Sequence, residues 1–135
     1  MKSRSLPAQL LWRLLRARVG LMRYRGEALR ERMRMVAGAS DAEAVADARA
    51  DARVVLSLSR FVPGSRCLTR AIALTDALRA RGVAARLRLG VRRVAPFGAH
   101  AWVVVGGEPV TDAIEDLAAF AELDAAQAMP DHFGP

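Results

Sequence analysis

Two patterns in the chain predict an α+β fold. Up to Arg81 the apolar residues recur at three- and four-residue spacing, the period of helices that bury one face. From Val83 the pattern becomes alternation: Val83, Ala85, Leu87, Leu89 and Val91 face one way and Arg86 and Arg88 the other. A Gly106-Gly107 pair then separates two further extended runs, as in an antiparallel hairpin. Helices followed by a small antiparallel sheet are the order of an α+β domain. A chain of 135 residues supports one domain with its own core. Residues 1–135 therefore read as one unit, with a basic helical segment over 1–38, a core over 41–123 and a loose tail over 129–135.

Each element has a local reason. Leu6, Leu10, Leu11, Leu14, Leu15, Val19 and Met22 form the apolar stripe of a first helix; Pro7 suits its first turn, and Gly20 and Gly26 are breaks. A second short helix is expected from Glu27 towards Val36, closed by Gly38. Ser40-Asp41 reads as a cap, with Glu43 in the first turn, for a third helix through Val45, Ala48, Ala52, Val55, Leu56 and Leu58. That helix should stop near Phe61-Val62, because Pro63 disfavours helical backbone in the residue before it. After the turn Pro63-Gly64-Ser65-Arg66, a fourth helix opens at Cys67 and ends at Gly82, with Leu68, Ala71, Ile72, Thr75 and Leu78 on its buried face. The strand Val83–Val91 follows, then a loop with Pro96 and Gly98, then the apolar strand Ala99–Val105. Pro109 restricts the returning strand to a sheet edge. A last short helix is expected from Ile114 to Leu123.

Composition narrows the setting. A single cysteine cannot close an intramolecular disulfide, which favours a reducing, intracellular location. Arg13, Arg16 and Arg18 interrupt the N-terminal apolar run before it takes signal-peptide form, and no uncharged stretch is long enough to span a bilayer. A cytoplasmic protein is expected. The net charge is +7. Residues 1–36 carry ten basic residues against Glu27 and Glu31, a balance of +8, so the rest of the chain is near neutral. Such a block can be a docking surface for an anionic partner or merely a solvated helix face.

The chemistry concentrates on three residues. Cys67 lies at a helix start, where the macrodipole and free N–H groups stabilise a thiolate and can also hold a developing oxyanion. His100, at the head of an apolar strand, is the side chain suited to take and return a proton near neutral pH. Asp112 is placed by hairpin geometry: reflecting position 112 through a turn centred on Gly106-Gly107 lands at position 101. The carboxylate should therefore lie across from His100 to within one residue, near enough to orient an imidazole. Other readings stand beside this one. Cys67 can be a small buried hydrophobe, His100 an edge residue, and Asp112 the cap of the helix near Ile114. Trp102 reads as a core or cleft-wall aromatic. Cys67, His100 and His132 are the only sulfur and nitrogen candidates for zinc, a poor set with His132 in the tail, so no metal or cofactor is expected. Gln9 is the sole glutamine before Cys67, which leaves the second oxyanion donor unassigned.

The run Cys67-Leu68-Thr69-Arg70-Ala71-Ile72-Ala73-Leu74, followed by Leu78-Arg79-Ala80-Arg81-Gly82-Val83, resembles the catalytic helix of the lasso peptide biosynthesis B proteins. Gly90-Val91, Phe97-Gly98-Ala99-His100-Ala101-Trp102-Val103, Gly107-Glu108-Pro109-Val110 and Asp112 continue the resemblance in order, over approximately Ala52 to Ile114. It implies a transglutaminase-like (papain-like) cysteine protease core that removes the leader from a ribosomally made precursor peptide before a partner cyclase closes the ring. By that resemblance Cys67 is the nucleophile, His100 the base and acid, and Asp112 the orienting carboxylate, with water resolving the thioester. It also implies the split form of the family, the peptidase half alone, served in trans by a separate leader-recognition protein. The basic helices of residues 1–36 would then dock that protein or the precursor, with no nucleic acid among the partners. Two other classes stay open. One is an acyltransferase on the same fold, and the other a non-catalytic protein binding nucleic acid or an acidic partner through the basic helices.

Overall fold

The computed structural model describes residues 7–14, 26–62, 66–92, 94–95 and 98–123. Helix α1 covers residues 7–14. It is followed by α2 (Gly26–Met33), α3 (Ala42–Ser59), α4 (Cys67–Ala80), β1 (Ala85–Arg92), β2 (Gly98–Val105), β3 (Glu108–Pro109), α5 (Ile114–Leu117) and β4 (Phe120–Leu123). The turn at Pro63–Ser65, the rest of the first helical stripe and the 129–135 tail lie outside the described residues.

The sheet has the order β3-β2-β1-β4, with every neighbouring pair antiparallel. Helix α4 lies against β1 and β2 and is covered by α3, with α2 touching both α4 and β1. Ile72, Leu74 and Leu78 from the helix meet Leu87, Val103 and Val105 from the sheet, all fully buried. Burying each such side chain stabilises the fold by about 1.5–3 kcal/mol. Leu10, Leu14, Leu29 and Met33 belong to the same core, so the described part of the basic segment is built into the domain.

The Asp41 cap forms as expected: its Oδ1 accepts from the Ala44 amide at 2.9 Å. The second helix ends at Met33, short of Val36. Its end is held by Arg79, whose guanidinium donates to the carbonyls of Glu31, Arg32, Arg34 and Ala85. Orphan helix carbonyls are thereby satisfied. Arg32 makes a two-pronged ion pair with Asp76, at 2.9 Å for each bond, and Arg34 pairs with Glu31. Arg32 thereby ties α2 to α4, while the Arg34 pair is an exposed local one at the end of α2.

Two expectations need correction. The fourth helix is enclosed on several sides: Thr69, Ala73, Leu74 and Ala77 are as buried as Ala71, Ile72, Thr75 and Leu78. A central helix between a sheet and other helices has no broad solvent face, so its sequence loses the one-sided stripe. The helix expected over 114–123 stops at Leu117, and Phe120–Leu123 forms an edge strand on β1, pairing Gly90 with Glu122 and Arg92 with Phe120.

The Gly106-Gly107 turn has φ of 59° and 77°, the left-handed pair of a two-residue hairpin. It pairs Val105 with Glu108 and Val104 with Pro109, and the Val110 amide donates to the Val103 carbonyl at 2.9 Å. This is the register used to place position 112 against position 101. Pro109 sits on the edge strand, as its missing N–H requires.

Candidate active site

The N-terminal end of α4, the outer end of β2 and the segment after β3 meet at a cleft of about 260 Å³. Cys67, His100 and Asp112 all line it. Cys67 is the first residue of α4, partly exposed, unpaired and packed on one side against the core. The preceding residue, Arg66, is extended and makes no side-chain cap on the helix. The first-turn amides of α4 are thus not engaged by a cap from Arg66, and they direct partial positive charge towards the thiol.

His100 Nε2 lies 2.8 Å from Asp112 Oδ2, and each side chain is about a quarter exposed. With Nε2–H donating to the carboxylate, the proton-free Nδ1 is left for another partner. Asp112 does not cap α5; the residue before that helix is Ala113, and it makes no side-chain cap. The other carboxylate oxygen accepts from Thr111 Oγ1 at 2.8 Å, while the same hydroxyl accepts from the Val103 amide at 3.2 Å. Thr111 therefore continues the hairpin after its regular pairing stops and fixes the carboxylate to β2. Sequence reading did not single out Thr111; its place one residue before Asp112 in the reflected register was the available signal.

Behind the imidazole stands an aromatic wall. Trp102 stacks on His100 with ring centroids 6.0 Å apart and planes 23° apart, and Phe120 approaches it at 5.4 Å with a 35° tilt. Trp102 is only 5% exposed and is not among the residues that line the cleft; it backs the imidazole that does. Gly90 pairs directly with His100 across the ladder. A Cβ at Gly90 would lie 3.0 Å from Phe120 Cβ and from Trp102 Cζ3 and Cη2, so the absence of a side chain makes room for the wall.

Ala101, Val110 and Thr111 also line the cleft, and the rest of its lining comes from the two helices. Arg49, Ala52, Arg53 and Leu56 of α3 face Arg70, Ala71 and Leu74 of α4. Gln9 belongs elsewhere: it borders Ala77, Ala80 and Arg81 at the opposite end of α4, about 20 Å from the thiol at 1.5 Å per residue. It is no oxyanion donor for Cys67. His132 lies outside the described residues. Among the described residues no helix is long and apolar enough to cross a membrane.

Comparison with known proteins agrees with this architecture. The microcin J25-processing protein McjB of Escherichia coli is 47% identical over 49 residues, which are 36% of this chain and 23% of that protein. The match thus spans about a quarter of the relative's length. It supports the resemblance to lasso peptide biosynthesis B proteins carried by the Cys67, His100 and Asp112 motifs. No solved structure matches the chain. The family model described as the transglutaminase-like superfamily matches residues 11–125, and with most of its length matched the chain belongs to that superfamily.

Proposed function

We propose that this protein is a cytoplasmic cysteine endopeptidase that removes the leader from a lasso-type precursor peptide. The observation that carries the reading is the opening of the Cys67 thiol onto the same cleft as the bonded His100–Asp112 pair. The similarity to a microcin-processing protein supports the substrate class.

In this reading the Cys67 thiol gives its proton to His100 Nδ1, and Sγ attacks the scissile carbonyl carbon. The negative oxygen that forms is held by first-turn amides of α4. As the C–N bond breaks, His100 returns the proton to the leaving amine, and a thioester remains on Cys67. Water, deprotonated by His100, then attacks the thioester carbonyl; the C–S bond breaks and a free carboxylic acid leaves. Asp112 orients the imidazole and stabilises its protonated form, with Thr111 fixing the carboxylate. The leader is presented by a separate recognition protein, and the freed core passes to a ring-closing enzyme.

The test is to incubate a lasso-type precursor and its leader-recognition protein with wild type or with Cys67→Ala, and to follow both fragments by intact mass. Wild type is expected to yield a leader ending in a free acid, with release reduced by roughly 10³-fold or more in Cys67→Ala. Release that survives in Cys67→Ala overturns the nucleophile. A leader captured by an added amine instead of water would make the enzyme an acyltransferase.

A further inference from the structure

The cleft is basic around the thiol. Arg49 and Arg53 lie one helical turn apart on α3, and Arg70 lies one turn beyond Cys67 on the facing side of α4. Arg49 is occupied, donating to the Pro109 carbonyl at 3.3 Å and lying 3.5 Å from the Glu108 carboxylate. Arg53 and Arg70 have no hydrogen-bond or ion-pair partner among the described residues. Among the described residues, Asp112 is the one carboxylate lining the cleft, and it is committed to His100 and Thr111. Two unmatched guanidinium groups in one concave site repel each other and raise the local concentration of anions. Guanidinium forks match carboxylates in shape and charge. The lower wall, formed by Ala52, Ala71 and Leu74, is apolar and offers such an anion no other polar partner.

From this we infer that Arg53 and Arg70 form a carboxylate-recognition subsite that selects peptides with an acidic group next to the scissile bond. The inference rests on the peptidase reading of the same cleft and adds a substrate chemistry to it. Arg70 is three residues along α4 from Cys67, about 4.5 Å of axial rise. An extended peptide advances about 3.3 Å per residue. The acidic group therefore belongs within two residues of the bond that Cys67 attacks. It is either an aspartate or glutamate side chain or a chain-terminal carboxylate.

Paired thiol reagents distinguish these sources. The first pairs are acetyl-Ala-Ala-Xaa and acetyl-Ala-Xaa-Ala vinyl sulfones, with Xaa either Asp or its neutral isostere Asn. The second pair is iodoacetate and iodoacetamide, a free carboxylate and its amide. The readout is the ratio of Cys67 alkylation rates within each pair, so changes in intrinsic thiol reactivity cancel. The full chain is compared with Arg53→Gln, Arg70→Gln and the double variant, each checked for native thermal unfolding. A preference of roughly ten-fold for the acidic partner is expected in wild type, falling towards unity in the double variant. Preference in the vinyl sulfones identifies a side-chain carboxylate, and preference confined to iodoacetate identifies a terminal one. Equal rates within every pair, or a preference that survives in the double variant, overturn the subsite. Uniformly slow alkylation by all reagents counts against the peptidase reading, while the paired ratios still report on the subsite.

Discussion

Gly90→Ala adds one methyl group behind the His100 imidazole, and its consequences follow from distances. The new Cβ would stand 3.0 Å from Phe120 Cβ and from two atoms of the Trp102 ring. Carbon atoms settle at about 3.5–4.0 Å, so something must give by about 0.5 Å. The backbone cannot easily move, because Gly90 is paired on both sides, with His100 and with Glu122. The aromatic rings must shift instead, and overpacking of this kind costs about 1–3 kcal/mol. His100 packs against both rings, so the imidazole moves with them relative to Asp112 and Cys67. A misplacement of about 1 Å costs roughly 10²-fold in rate, so half of it should cost about ten-fold. Denaturant unfolding reads the first effect, and precursor cleavage together with Cys67 alkylation reads the second. Trp102→Phe in the Gly90→Ala background removes the indole atoms in the way and should restore part of both. Unaltered stability and cleavage in Gly90→Ala, or a purely additive loss in the double variant, would refute the wall as the element that positions His100.

Asp112→Asn should lower cleavage by roughly 10²- to 10⁴-fold while changing stability by less than about 1 kcal/mol, since Asp112 orients His100 and caps no helix. Lost stability with intact cleavage would reverse that assignment. Asp51 is buried beside Arg81, and burial pushes its carboxyl above the usual range against the pull of the guanidinium. A raised folded value means that its contribution to stability is fully present below the unfolded value of about 4 and is lost as pH rises through the folded value. Unfolding measured from pH 4 upwards should therefore show wild type losing stability relative to Asp51→Asn; the opposite trend would contradict it. Gly106→Ala places a Cβ against the Ser40 carbonyl oxygen at a φ of 59° and should cost more than about 1 kcal/mol in denaturant unfolding. A neutral result would mean that the hairpin turn is not seated on the loop before α3.

The parts of the site that were legible in the sequence are those fixed by local rules. The helix start at Cys67 follows from the chain punctuation before it, and the hairpin register follows from a two-residue glycine turn and the period of two. That register alone brings position 112 to the neighbourhood of His100. The Asp41 cap and the edge placement of Pro109 were legible for the same reason. What the sequence concealed depends on tertiary neighbours. Phe120–Leu123 is a strand only because β1 offers it an edge, and four residues beside a short helix carry too little periodicity to announce it. The enclosure of α4 on several sides buries Thr69, Ala73, Leu74 and Ala77, which lie off the face that an amphipathic reading assigns to the core. The gathering of Arg49, Arg53 and Arg70 required knowing that α3 and α4 flank one cleft. The basic segment read as a docking face is, at Arg32 and Arg34, partly consumed by ion pairs within the fold.

In the proposed mechanism Cys67 becomes covalently acylated by the substrate under the control of His100 and Asp112. Rapid acid quenching of a single turnover, followed by mass analysis of the Cys67 peptide, measures this directly. A thioester adduct of the leader on Cys67 is expected, one that is sensitive to hydroxylamine, decays to free acid, and forms far more slowly in Asp112→Asn. Leader release with no adduct at Cys67 at any time point would contradict it.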